Sequence, residues 1–473
     1  MLVGMVKGFV SLTMMVGFGH EHYAMLSQFL VLAGFTAQIM MLNYDAQFVA
    51  KVSVGEDPSI GYSALLKLLI LNTSFIFFIA SMFDQPLSSF IWGTDRYVSY
   101  VVILVIYVFI LSLNLLSFLR FQASKKFDYF AGLQILQQLL QLLAIFVGVY
   151  LANVLLLVIL LILFELLLWF TVQFLGGRPK FSYKNFGLSF DWLRKGSGIA
   201  VPLLASFLMI WILNNGGRLI LVNQHGLKAL APYAATFSIA ILSGLLINPI
   251  CSVFFPYFSR GQQNLSEIAC SVVSAQLALL IFGGVVSMFL IVSSKILIGI
   301  LASPELFAGS FFVFFICAAQ LFYGQARIIS LYLAVNDKAL SGLYAFMLGA
   351  MILLFVGFFS AAQFLAKGIA MATMLGSFVS AAWLWIKMPP LVKASGLIQG
   401  RFTILLCWVG TLTFMLIAVY CQFNKVVEMA LALFFLIVAY VMFLILVTAS
   451  EPIMAIVCVK LKLLKDKVYV RDC

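Results

Sequence analysis

Charge is what this sequence has least of. Of 473 residues only 9% are Asp, Glu, Lys or Arg, while 64% are hydrophobic. An ordinary soluble domain carries about 25% charged residues and under 50% apolar ones, so no water-soluble packing hides this much apolar surface. Cysteine is sparse as well. The seven cysteines are odd in number, none forms a Cys-x-x-Cys pair and most fall inside apolar runs, which excludes a disulfide framework and a thiolate metal site. The three histidines, His20, His22 and His225, lie at turns and read as plain loop residues. Long polar loops are missing, and with them any room for a catalytic domain. Neither paired carboxylates nor a phosphate-cradling glycine motif is present, so the chain reads as a non-enzyme that needs no cofactor and no metal.

What is present is a succession of apolar runs. A helix crosses a bilayer with about 20 apolar residues. That ruler predicts an all-α integral membrane protein with about fourteen spans, near 2–18, 24–43, 63–82, 97–119, 129–150, 153–175, 198–222, 230–254, 267–292, 307–333, 340–360, 367–387, 402–421 and 426–448. The runs are continuous rather than alternating, which excludes a β-barrel. The first shows no cleavage site and is taken as a retained helix, short enough that a turn or two is expected to precede it. Formal net charge is +12, but the Lys and Arg residues never form a dense stripe with interleaved aromatics, so nucleic acid is not the partner. Their placement is topological. Twenty of the 28 sit at the termini and even-numbered junctions, five at the others, and Lys67, Arg218 and Arg327 inside spans. This bias places both termini in the cytoplasm.

The longest loop divides the chain, and a repeat is visible across it. Tyr23-Ala24 recurs as Tyr233-Ala234 at an offset of 210, and Ser117 and Lys125 recur as Ser330 and Lys338 at an offset of 213. The organisation expected is a six-helix lobe at 1–175, a cytoplasmic linker at 176–197, a second six-helix lobe at 198–387, two additional helices at 402–448 and a basic tail at 449–473. Parallel repeats of this kind are a transporter habit, with the substrate between the lobes.

Polar groups inside spans are costly and therefore candidates for function. Trp211, Asn214, Asn215 and Arg218 follow i, i+3, i+4, i+7 spacing and share one helix face. A planar guanidinium suits a phosphate oxygen pair, amides suit sugar hydroxyls and an indole suits a sugar face. Gln134, Gln137, Gln138 and Gln141 repeat that spacing in the fifth span, fit to line a cavity or to bond neighbouring helices. Gln320, Tyr323 and Arg327 share a face of the tenth, with Arg327 placed either to meet a headgroup or to reach the interface. Glu165 is the one carboxylate deep inside a span. It is read as a proton-coupling residue, with a static bond to another helix as the alternative.

Three stretches carry a family resemblance: Gly19-His20-Glu21-His22-Tyr23-Ala24, then Pro202 through Trp211-Ile-Leu-Asn-Asn-Gly-Gly-Arg218, then Ala231-Pro232-Tyr233-Ala234 to Asn248-Pro249 and Phe255-Pro256. On these the chain resembles the polysaccharide-export branch of the multidrug/oligosaccharidyl-lipid/polysaccharide (MOP) exporter superfamily, and most the Wzx-type O-antigen flippases. It departs from them in a shorter first span and in Ala24 where glycine is usual. The resemblance implies two lobes around a cavity, alternating access, and an undecaprenyl-diphosphate-linked oligosaccharide moved across a bacterial inner membrane, alongside membrane lipids and other glycan-assembly proteins. It also brings Lys7 of the first span among the cavity residues. A cation-coupled multidrug exporter of the same superfamily is the first alternative. It is disfavoured by an arginine where such exporters place carboxylates. A membrane-embedded polymerase or acyltransferase is the second.

Overall fold

The computed structural model describes residues 10–11, 13–53, 57–124, 126–176, 186–259, 265–335, 338–388, 397–420 and 436–441. Helices account for nearly all of them, and among the described residues there is no strand. Helix α1 (His20–Met40) is followed by a short α2 (Tyr44–Ser53) and by α3 (Pro58–Met82). The start of α3 is written locally. Pro58 occupies the first turn, where its missing N–H is no loss, and the Asp57 carboxylate accepts from Ser59 N at 2.9 Å. A nine-residue helix α4 (Asp84–Trp92) leads into α5 (Val98–Ala123), α6 (Phe127–Tyr150) and α7 (Val154–Gly176). The turn expected at Asn153 is there, and its side chain caps α7 by accepting from Leu156 N at 3.0 Å.

Two helices are too long for one crossing. Helix α8 (Phe186–Ala240) runs 55 residues, on the order of 80 Å at 1.5 Å per residue against a hydrocarbon core of about 30 Å. It breaks at Gly226, whose φ of 74° and ψ of −177° are non-helical, and this break separates the expected seventh and eighth spans. After a 3-10 stretch, Ile241–Leu246, come α9 (Ile247–Ser259), α10 (Leu265–Leu301) and α11 (Ser310–Val335). Helix α12 (Ala339–Lys387) breaks at Leu365 between the expected eleventh and twelfth spans, and α13 (Leu397–Tyr420) follows. Nine stretches of the described residues are long and apolar enough to cross a membrane, two of them long enough for two passages, with Leu406–Tyr420 as a shorter apolar helix. Lys7, the basic tail at 449–473, and most of the expected spans at 2–18 and 426–448 lie outside the described residues.

The chain forms two compact units. One comprises Met1–Ala235 with Gly299–Leu306, the other Thr236–Ile298 with Phe307–Cys473. In the first, α2 docks on the start of α8. Tyr44, Phe48, Tyr62, Leu65 and Trp192 form a buried cluster, Tyr44 Oη donates to Leu193 O at 3.0 Å, and Lys51 Nζ lies 5.3 Å above the Trp192 ring. A second cluster, Phe118, Phe121, Leu133, Leu168 and Val172, holds α5, α6 and α7 together. In the other unit the stretch 436–441 is anchored through Tyr440, whose hydroxyl donates to Leu280 O at 2.7 Å and lies 2.9 Å from Thr411 Oγ1. The outer surface keeps large apolar side chains exposed, among them Phe75, Phe78, Phe170, Phe174, Phe355 and Phe364. Water would not tolerate that belt; lipid is its solvent.

Candidate functional site

Arg218 sits near the middle of α8 and is only 4% exposed. Its Nη1 donates to Ser27 Oγ of α1 at 3.0 Å. Its charge also acts on the buried hydroxyls of Tyr23 and Tyr233, the two tyrosines related by the internal repeat, so both lie close to one guanidinium. Two turns along the same helix, Trp211 stacks on Phe35 of α1 with ring centroids 3.8 Å apart. Between them Asn214 and Asn215 are half-buried, and each donates back to its own helix, to Ile210 O at 2.9 Å and Trp211 O at 3.5 Å. Of the four residues singled out by spacing, Arg218 and Trp211 thus both meet α1. Sequence reasoning missed Ser27 as the partner. Its only signal is a position one turn beyond Tyr23, on the same helix face.

The second site joins two features that looked separate. Glu165, 1% exposed in the middle of α7, accepts from three amides. Asn114 Nδ2 of α5 donates to its carboxylate at 2.7 Å and to its backbone oxygen at 2.8 Å. From α6, Gln137 Nε2 reaches both carboxylate oxygens at 3.1 and 3.0 Å, and Gln141 Nε2 donates to Oε1. Gln141 also lies 3.4 Å from the Tyr107 hydroxyl. The four-glutamine face therefore divides: Gln137 and Gln141 are buried on Glu165, Gln138 is half-buried and Gln134 is exposed.

The third set lies on α11 in the other unit. Gln320 is buried, while Tyr323 and Arg327 are half-buried. The Tyr323 ring stands 6.0 Å from Phe346, and the charge of Arg327 reaches both Tyr323 and Cys251. Cys251, Cys317 and Cys407 are free and buried. At the exposed end of α1, Lys228 Nζ lies 3.8 Å from Glu21 Oε1, and His22 faces Phe18 O at 3.3 Å. Among the described residues no group of three or more His, Cys, Asp or Glu could hold a metal ion.

The profile of a family described as "Polysaccharide biosynthesis protein" matches residues 56–305. No curated protein matches the sequence. Among solved structures, the fold is similar to the lipid II flippase MurJ in an inward closed conformation, with a TM-score of 0.74 at 13% identity over 94% of this chain and 97% of that one. It is similar to a multidrug resistance MATE family transporter of the MOP superfamily in an inward-facing conformation, with a TM-score of 0.61 at 13% identity over 84% and 96% of the two chains. A MOP superfamily transporter from Pyrococcus furiosus gives a TM-score of 0.55 at 11% identity over 86% and 93%. At such identities these likenesses establish the fold, which is that of MOP superfamily transporters.

Proposed function

The chain belongs to the Polysaccharide biosynthesis protein family, and on that premise we propose that it is a flippase of the Wzx type. Its cargo is an undecaprenyl-diphosphate-linked oligosaccharide, of O-antigen kind, carried across the bacterial inner membrane by alternating access. One observation supports this most: a guanidinium buried inside a span, on the helix face that also carries Trp211, Asn214 and Asn215. A charge placed in a membrane protein's interior is costly and is retained where it serves a substrate. The planar guanidinium fork of Arg218 is suited to the paired oxygens of a diphosphate. Asn214, Asn215 and the exposed or half-buried amides of Gln134 and Gln138 supply hydrogen bonds for sugar hydroxyls, and Trp211 supplies a face for a sugar ring. Gln320, Tyr323 and Arg327 form a second polar face, and Lys7 adds a further cation from the first span.

Glu165 is the coupling candidate, and the same geometry gives it a second use as a tie between α5, α6 and α7. Both termini lie in the cytoplasm on this reading, and glycan-assembly proteins are the expected neighbours.

The test is direct. Arg218→Ala abolishes surface glycan while the protein level in the membrane stays normal. Wild-type surface glycan in that variant overturns the assignment, and a gain or loss of drug resistance instead of a glycan defect favours a multidrug exporter.

A further inference from the structure

Beyond Arg218, the stretch of α8 just before the Gly226 break is held by the short helix α4. Asn223 Nδ2 of α8 donates to the Phe90 carbonyl of α4 at 2.8 Å. Gly93, which closes α4 with a φ of 68°, brings its backbone so near to α8 that a Cβ there would stand 2.5 Å from Val222 O. On the other side the buried indole of Trp92 donates to Met25 O of α1 at 3.4 Å. Val222 and Asn223 lie one turn past Arg218, and Met25 lies just before Ser27. Helix α4 therefore bridges α1 and α8 about one helical turn outward of the Arg218–Ser27 bond. The Phe35–Trp211 stack closes the same two helices about two turns inward of it.

The internal repeat gives this seam its meaning. By sequence, residues 198–222 open the second repeat, whose Tyr233 corresponds to Tyr23. By contact, Met1–Ala235 form one unit, so this helix packs with the first repeat instead. A helix that opens one repeat by sequence and packs with the other by contact stands where one repeat can gate against the other. The Gly226 break, one residue wide, separates the seam from the rest of α8.

We propose that α4 is the clasp of the non-cytoplasmic gate, and that the Arg218–Ser27 bond is the latch beneath it. When the anionic headgroup of the cargo takes Arg218 from Ser27, the seam loses that bond between α1 and α8. Asn223 and Gly93 then release α8, and the gate opens. The latch rests on the reading of Arg218 as a cargo-binding residue; the clasp does not.

The experiment uses the full chain in cells. Met25→Cys, which keeps the backbone oxygen that Trp92 meets and leaves the Ser27 hydroxyl in place, reports access to the seam through a membrane-impermeant maleimide added outside, read above the labelling of the chain without that substitution. With the native clasp the labelling is slow. Asn223→Ala raises its rate about fivefold, the population shift that follows the loss of one net hydrogen bond, and Gly93→Ala raises it as well, because its Cβ would push against Val222 O. Asn223 is exposed, so its truncation leaves folding intact even if Gly93→Ala does not fold. Unchanged labelling in Asn223→Ala at normal protein level overturns the clasp. In a second arm, Phe90→Cys and Asn223→Cys are joined by a short reducible cross-linker. Translocation of glycan stops and returns on reduction; full translocation while the bridge is in place also overturns the clasp. The two readings fail separately. Raised labelling with normal glycan export in Arg218→Ala removes the cargo role and the latch but keeps the clasp. Unchanged labelling with no export in Arg218→Ala removes the clasp and keeps the cargo role.

Discussion

Glu165 accepts N–H groups from Asn114, Gln137 and Gln141, and that convergence sets what a substitution does there. Glu165→Gln turns an N–H₂ toward donors and leaves at least one buried N–H unpaired, at about 1–3 kcal/mol. The melting temperature of the detergent-purified protein falls accordingly, and an unchanged melting temperature excludes the tie. If transport is proton-coupled through this carboxyl, the same variant also flattens the pH dependence of export. Arg218→Lys separates charge from geometry. A lysine keeps the charge but loses the bidentate fork, so surface glycan falls to a level between native and Arg218→Ala. The sequence located both Glu165 and the glutamine face, yet as unrelated features. Spacing reveals which residues share a face of one helix; it carries no information on which face of another helix meets it. Ser27 was nearly silent for a simpler reason, since a serine in an apolar helix carries no charge and only its place one turn beyond Tyr23 marks it.

Among the elements, hydropathy marked the crossings better than the chain's route between them. The sequence places two spans at 198–222 and 230–254 with a turn between, and the structure makes that turn by a single non-helical residue, Gly226. A hydropathy window sees the polar interval but not a break one residue wide. Gly226 has φ 74° and ψ −177°, a region essentially reserved for glycine, and open space where a Cβ would stand. Gly226→Ala is therefore destabilising through the backbone alone, by about 1–3 kcal/mol, and lowers the melting temperature without creating a clash. The short helix α2 falls between the spans that run length marks at 24–43 and 63–82. Tyr44, Gln47, Phe48 and Lys51 follow i, i+3, i+4, i+7 spacing, but only half of that face is apolar and its partner, Trp192, lies about 140 residues further along the chain. The expected linker at 176–197 is helical from Phe186 onward for the same reason, because Trp192 and Leu193 are what α2 docks against.

For the whole molecule, the membrane fold was legible from composition and run length, because the solvent dictates both. The charge bias makes a further prediction about orientation. A fluorescent reporter fused to Cys473 folds in the cytoplasm and fluoresces, while a phosphatase fused after Asp95 is active outside; the opposite pattern inverts the topology. One feature of the fold also bears on how the molecule is made. Helix α7 carries a carboxylate at its centre, which disfavours insertion into lipid by about 2.5–3.5 kcal/mol if the group enters charged and alone. It is also the most apolar of the described spans, which offsets that penalty. The amides that receive Glu165 come from α5 and α6, which leave the ribosome first. Synthesis order thus has the donors already in the bilayer when the acceptor arrives, so a chain interrupted or reordered between α6 and α7 would strand a carboxylate in lipid and mark itself for proteolysis.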